Sequence, residues 1–259
     1  MLLAAKATNT ALATTNTAVA LKAPIASPVF TGNVGIGTSS PTHKQTIQDA
    51  NQTSTQLKIT SAAGNTAGAY GGIHIGGEAS NAKAGIFLAS NASGYSRGNL
   101  VFAVNNESNQ NNASLTDARM TIDNAGRVTK PYQPSFRVGS VTYVTTGTTI
   151  LHTIDFHDIG NNYNPANGRF TAPVAGVYYF GAQAISGSAT TSAEQNIKFM
   201  KNGSAVCDAR ARSYTESSLH LKTVIELAVG DYMNVVVDSG SVYASGNGFH
   251  NQFMGYLIG

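Results

Sequence analysis

Tyr163-Asn164-Pro165-Ala166-Asn167-Gly168-Arg169-Phe170-Thr171-Ala172-Pro173-Val174-Ala175-Gly176-Val177-Tyr178-Tyr179-Phe180 is the stretch on which the reading of this chain turns. A turn feeds a short strand, Pro173 and Gly176 make a second turn, and a longer strand follows. Side chains alternate along a strand, so Tyr178 and Phe180 share one face while Val177 and Tyr179 take the other. Both faces are apolar. That predicts burial on both sides, by a second sheet over one face and a partner chain over the other.

The spacing within this stretch is an aromatic (Tyr163), six residues, Phe170, five residues, then Gly176-x-Tyr178-x-Phe180. It resembles the pattern of the C1q-like family, with Asp158 at the family's preceding acidic-or-amide position. Two positions depart: His152 stands where the pattern has Phe, and Ala182 where it ends in an aromatic. The turn Lys201-Asn202-Gly203 extends the resemblance, as does Ile225-Glu226-Leu227-Ala228-Val229-Gly230-Asp231 leading into Met233-Asn234-Val235-Val236-Val237. So does the closing run Phe253-Met254-Gly255-Tyr256-Leu257-Ile258, which brings the coverage to nearly half the chain. The resemblance implies a ten-strand, tumour-necrosis-factor-like jelly-roll head over residues 131–259, assembled as a homotrimer, with Tyr163, Phe170, Gly176, Tyr178 and Phe180 in its core.

In that topology antiparallel parity gathers residues 186–193, 210–218 and 242–250 at the end away from the incoming chain. Loops held on a rigid scaffold are where binding usually resides. Within these segments Arg210, Arg212, Tyr214, Tyr243 and His250 offer ring stacking and hydrogen bonding suited to sugars or protein epitopes. They are the receptor-binding candidates.

Upstream, short period-two strands recur at Leu57-Lys58-Ile59, Ile73-His74-Ile75, Ile86-Phe87-Leu88, Leu100-Val101-Phe102-Ala103-Val104 and Met120-Thr121-Ile122, separated by Gly/Asn/Ser turns. Residues 50–130 read as one small β domain with a thin core, intertwined or packed about a threefold axis. Neighbouring chains would then bury one face of each strand, at about 25 cal/mol per Å² of apolar surface removed from water. Pro24 and Pro28 stop any helix, so residues 24–49 read as an extended β linker. The run Ala23-Pro24-Ile25-Ala26-Ser27-Pro28-Val29-Phe30-Thr31-Gly32, continuing through Asn33-Val34-Gly35-Ile36-Gly37-Thr38-Ser39-Ser40-Pro41-Thr42, resembles junctions in bacteriophage tail fibres, particularly marine ones. Ala118-Arg119-Met120-Thr121-Ile122-Asp123-Asn124-Ala125-Gly126-Arg127-Val128 resembles the hairpins recurring in those fibres.

At the start, Thr8-Asn9-Thr10-Ala11-Leu12-Ala13-Thr14 is nearly copied seven residues on by Thr15-Asn16-Thr17-Ala18-Val19-Ala20-Leu21. Leu2, Asn9, Asn16 and Ala23 then occupy position a, and Ala5, Leu12 and Val19 position d, of a short trimeric coiled coil over residues 1–23. Three heptads span roughly 30 Å. Polar Asn at a costs stability and fixes register and strand number. The alternative is an Ala/Thr-rich flexible tail.

Composition excludes several function classes. Charged residues make up 11% of the chain, against about 25% in an ordinary soluble domain. So weakly charged a surface favours burial between identical chains. The 16 basic and 13 acidic residues give a net +3 without any Lys/Arg block, which argues against nucleic acid as a partner. A single cysteine, Cys207, rules out an intrachain disulfide framework and a thiolate metal cluster. Met1-Leu2-Leu3-Ala4-Ala5-Lys6 lacks the apolar core of a signal peptide, and no stretch approaches membrane-span length.

Motifs that would carry chemistry have simpler readings. Gly94-Tyr95-Ser96-Arg97-Gly98 fits G-x-S-x-G, but a nucleophile elbow needs a strand before the Ser and a helix after it, and a hairpin turn explains the run better. Gly32-Asn33-Val34-Gly35-Ile36-Gly37 has the wrong spacing for a phosphate loop and reads as a turn. In His152-Thr153-Ile154-Asp155-Phe156-His157-Asp158, strand alternation puts Asp155 and His157 on the face opposite His152 and Asp158; one such residue per chain could line a metal or anion site on a threefold axis. His74 reads as an outward-facing strand residue. N-x-[ST] triplets at Asn51, Asn91, Asn106, Asn112 and Asn202 follow from composition. A polysaccharide-cleaving tailspike needs paired carboxylates in a groove, and the 13 acids are scattered.

The expectation is therefore a mainly β, homotrimeric, non-enzymatic viral structural protein without cofactor or metal. It would be a virion tail fibre whose N-terminus docks on a tail adaptor or other virion protein and whose head binds host surface polysaccharide or protein. Rival readings are a head fibre or decoration protein without a specific receptor, and a secreted C1q-like lectin.

Overall fold

The computed structural model describes residues 34–36, 45–47, 59, 66–77, 81–92, 97–187, 193–213, 217–243 and 246–259. The expected coiled-coil seam from Leu2 to Ala23, with Leu57, Lys58 and Tyr214, lies outside these residues. Two compact units divide the chain, Met1–Ala62 and Ala63–Gly259. In the first, β1 (Val34–Ile36) pairs in parallel with β2 (Gln45–Ile47). Val34–Ile36 is thus a strand where a glycine turn is expected, because Val and Ile outweigh one intervening Gly once a partner strand is present.

The second unit begins with an antiparallel five-stranded meander of β3 (Tyr70–Ile75), β4 (Ala84–Ser90), β5 (Gly98–Val104), β6 (Ala118–Ile122) and β7 (Val128–Thr129), paired in chain order. β5 follows the G-x-S-x-G run directly and pairs antiparallel with β4. The β6–β7 turn is built by Asp123, whose carboxylate accepts the backbone N–H groups of Ala125 and Arg127, both at 2.9 Å, and the Arg127 guanidinium at 2.7 Å. Gly126 closes that turn at φ +84°, a conformation that favours glycine.

One face of this sheet is covered by the β5–β6 connection. Phe87, Val101, Ala103 and Ala113 are its buried apolar residues, and Gly72 and Gly85 leave the room that the Phe87 ring fills. His74 turns to this covered side: its Nε2 lies 2.9 Å from the Ala113 carbonyl and its ring meets Phe87 edge-on. His74 itself remains exposed, as an outward-facing strand residue is. Ile73 and Ile75 are the side chains left open, because the connection supplies a polar partner only on the other face. Cross-strand register aligns Ile73, Ile86, Phe102 and Met120 on the open face. The next row there is Leu88, Leu100, Ile122 and Val128.

The rest of the unit is a two-sheet sandwich. Its strands are β8 (Ser135–Ser140), β9 (Val144–Thr145), β10 (Ile154–Ile159), β11 (Tyr163–Asn164), β12 (Arg169–Thr171) and β13 (Gly176–Ile185). They are followed by β14 (Ala193–Lys201), β15 (Ser204–Ser213), β16 (Ser218–Leu227), β17 (Tyr232–Ser239), β18 (Ser241–Val242) and β19 (Asn251–Leu257). One sheet runs β10-β8-β19-β13-β16, the other β11-β12-β17-β14-β15, and β9 pairs with β18. Ten strands thus enclose one core. Phe170, Tyr178 and Phe180 are fully buried, and Tyr163 nearly so. Phe136 stacks on Phe170 at 4.7 Å and meets Phe253 edge-on at 4.8 Å. Gly176 opens β13 where a Cβ would press on the Gly259 carbonyl and the Leu257 side chain.

Within one chain the sandwich core covers one face of β13, while on the other Val177 is 37% exposed and Tyr179 is half-buried against Tyr256. One feature of this region differs from expectation. A β-bulge falls between Asp155 and His157, which pair with the consecutive residues Val138 and Arg137. The two side chains therefore do not share a face, since a bulge breaks the alternation on which that reading rested.

Candidate attachment surface

The chain passes into the sandwich at Pro134, whose carbonyl accepts the Leu257 N–H at 3.0 Å. Connections 172–175, 201–203 and 228–231 lie at this base. Asn202 and Gly203 have φ of +49° and +83°, giving a tight β14–β15 hairpin. Its Asn202 amide is fully engaged, donating to Asp231 at 2.7 Å and accepting from the Tyr232 N–H at 2.9 Å. The described residues at the opposite end, the tip, include 186–187, 217, 240–243 and 246–250.

Buried polar groups tie the tip connections to one another. The Ser186 N–H donates to the Ser217 carbonyl and the Ser217 N–H to Ser186 Oγ, both at 2.9 Å. Gly187 N–H donates to the Ser241 carbonyl at 2.9 Å and Tyr243 N–H to the Ile185 carbonyl at 2.8 Å. Asn251 is fully buried; its amide donates to the Tyr243 carbonyl at 2.6 Å and its Oδ1 accepts the Ile185 N–H at 3.0 Å. Buried Gln195 accepts the Ser241 N–H through Oε1 at 2.9 Å. A satisfied buried network of this kind holds loops in one arrangement.

On this frame Tyr243 is 41% exposed and His250 is exposed. Sequence reasoning missed Tyr143. It is 56% exposed, and the β9–β18 register of Val144 opposite Val242 brings its backbone opposite that of Tyr243 one step beyond the ladder. Phe249 was missed as well: half-exposed, it stacks on Phe156 at 5.5 Å, over which Arg137 lies at 4.7 Å. For Phe249 the available signal was an aromatic within 242–250, a segment already marked as a loop.

Arg210 is placed differently from expectation. β15 runs on to Ser213, so Arg210 and Arg212 stand on the outer face of a sheet. Arg210 pairs with Asp208 at 2.5 Å and Glu194 at 3.6 Å, and its guanidinium holds the Asp208 carboxyl below the usual range. Arg212 stands opposite Glu194 in register. Alternating acids and arginines extended the ladder past the predicted strand end.

Elsewhere, a cavity of about 210 Å³ is lined by His152, Asp155, Asp158 and Tyr163 among others. Asp158 is committed to the backbone N–H groups of Asn162 at 3.1 Å and Tyr163 at 2.9 Å. Among the described residues no three His, Cys, Asp or Glu side chains are grouped to hold a metal. A larger cleft, about 500 Å³, opens at the base beside Arg119, Tyr132 and Pro173, with Arg119 stacked over the Tyr132 ring at 4.1 Å.

Residues 136–258 match the family model of the C1q domain. This segment is a C1q domain. Solved structures similar to the chain include the globular domain of zebrafish complement 1qA protein, at 17% identity and TM-score 0.40, covering 49% of this chain and 98% of that one. Others are murine APRIL, at 11% identity and TM-score 0.42 over 49% and 99% of the two chains, and Eiger TNF from S. frugiperda, at 10%, 0.43, and 50% and 94%. The C1q domain begins with β8 and takes in the base, the tip and both sheets.

Proposed function

We propose that this chain is a homotrimeric, non-enzymatic attachment protein, a virion tail fibre whose C1q domain holds host surface polysaccharide or protein at its tip. The observation that carries the reading is the tip itself, where Tyr143, Tyr243, Phe249 and His250 are presented on connections stapled by buried Asn251 and Gln195. Exposed aromatic rings on rigid loops suit the stacking of sugar rings or the gripping of a protein epitope. Trimerisation is supported by the outer face of the sheet bearing β13, where Val177, Val224 and Tyr256 remain exposed. Three weak tips acting together would give avidity without a deep pocket.

The test is a titration of fluorescent full-length chain onto bacterial cells, with unlabelled chain as competitor. Saturable, displaceable binding supports the reading. Uptake that neither saturates nor is displaced across a panel of capsule and lipopolysaccharide types overturns it in favour of a decoration protein.

A further inference from the structure

We infer that the open face of the β3–β7 sheet is an interface between copies of this chain. An antiparallel sheet with one wet side turns its polar side chains to water and its apolar ones inward. Here both sides are apolar: by register Phe87, Val101 and Ala103 lie on the side covered by the β5–β6 connection, and Ile73, Ile86 and Leu88 on the open side. Ile73, Ile75, Ile86, Leu88, Val104 and Val128 are each between 37% and 53% exposed.

Neither cross-strand row on the open face contains a charged residue. The exposed apolar area is roughly 500 Å², near the top of the ~300–600 Å² that the largest patch on a typical monomer reaches. A face without charges has nothing with which to select a polar or transient partner. It has the character of an obligate interface, which resembles a domain core cut in half. The occupant that meets this need is the chain itself, present at equal concentration whenever the face is made. Each chain would bury about 500 Å² of apolar surface there, and two such faces packed together about 1,000 Å², the size a specific interface should clear. The inference rests on the trimeric reading for its copy number only.

Thiol accessibility tests it in the full-length chain carrying Cys207→Ser, with Leu88→Cys, Val224→Cys or Ser108→Cys added singly; Ser108 is exposed on the β5–β6 connection. The expected result is that Leu88→Cys reacts with N-ethylmaleimide at least about tenfold more slowly than Ser108→Cys. A short bis-maleimide should also join Leu88→Cys chains covalently. Labelling as fast as at Ser108→Cys overturns the inference, and if Val224→Cys is still protected the trimeric reading of the C1q domain stands. Slow labelling without interchain cross-links also overturns it, because a segment of the same chain then covers the face.

Discussion

The hydroxyl of Tyr163 accepts the backbone N–H of His152 at 3.1 Å, and the imidazole stands beside it, fully buried against the Phe253 ring. Burial pushes the His152 imidazole down to about 3, with a backbone hydrogen bond at Ile150 only partly opposing it. An unfolded chain takes up this proton near pH 6.5 and the folded one does not, so stability is full above that pH and falls as pH drops towards 3. The expected slope from this group is about 1.4 kcal/mol per pH unit. Carboxylates as a class titrate in an overlapping window, so the measurement is a difference. Urea midpoints between pH 4 and 8 should converge less steeply for His152→Phe than for the natural chain. Parallel pH profiles would refute the assignment.

Asp231 makes a second acid-sensitive point, at the base. Its carboxylate accepts from Asn202 at 2.7 Å, the Ala228 N–H at 2.9 Å and Lys201 at 3.0 Å, and these donors hold its carboxyl down at about 2. The native state keeps this carboxylate ionised more readily than the unfolded chain does. Its contribution is therefore present above about pH 3.8 and is lost between there and pH 2. Asp231→Asn should lower the melting temperature at pH 7, and the deficit should shrink on acidification towards pH 2. A deficit independent of pH would point to lost packing instead.

Strand alternation, hairpin turns and the aromatic spacing from Tyr163 to Phe180 made the C1q domain legible, because each is a local signal that the tertiary fold reinforces. What stayed hidden was set by neighbours distant in sequence. Arg210 looks like a loop residue until Glu194 and Asp208 are seen to flank it. His74 looks unpartnered until the Ala113 carbonyl, 39 residues on, supplies its hydrogen bond. Asn251 and Gln195 read as ordinary strand polar residues, and only the folded tip shows that they hold its loops. Tyr143 reads as an isolated aromatic until β9 and β18 bring it opposite Tyr243.

Close packing gives a prediction independent of pH. A Cβ built on Gly255 would lie 2.5 Å from Phe180 Cδ1 and 2.9 Å from Phe136 Cε1, both fully buried rings. Neither ring has free space to retreat into, so Gly255→Ala should cost about 1–3 kcal/mol, the usual penalty for overpacking a filled core. Thermal unfolding should show a clear drop in the C1q domain's transition. An unchanged melting temperature would mean that the rings have more freedom than this packing allows.

Attachment itself separates two groups that composition alone would treat alike. Tyr243 contributes its backbone to the tip network, with its N–H on the Ile185 carbonyl and its carbonyl on Asn251, while its side chain is exposed. Tyr243→Ala therefore removes a ring without removing a staple, and should weaken cell binding while leaving the melting temperature almost unchanged. Arg210 spends its guanidinium on Asp208 and Glu194 on a sheet face, so Arg210→Ala should leave binding near the natural level. Exposed ion pairs of this kind contribute little, and stability should move only slightly. Asn251→Ala leaves the Tyr243 ring in place but removes the bonds to the Tyr243 carbonyl and the Ile185 N–H, so binding and melting temperature should fall together. If Arg210→Ala were the variant that lost binding, the contact surface would lie on the outer face of β14 and β15 rather than at the tip.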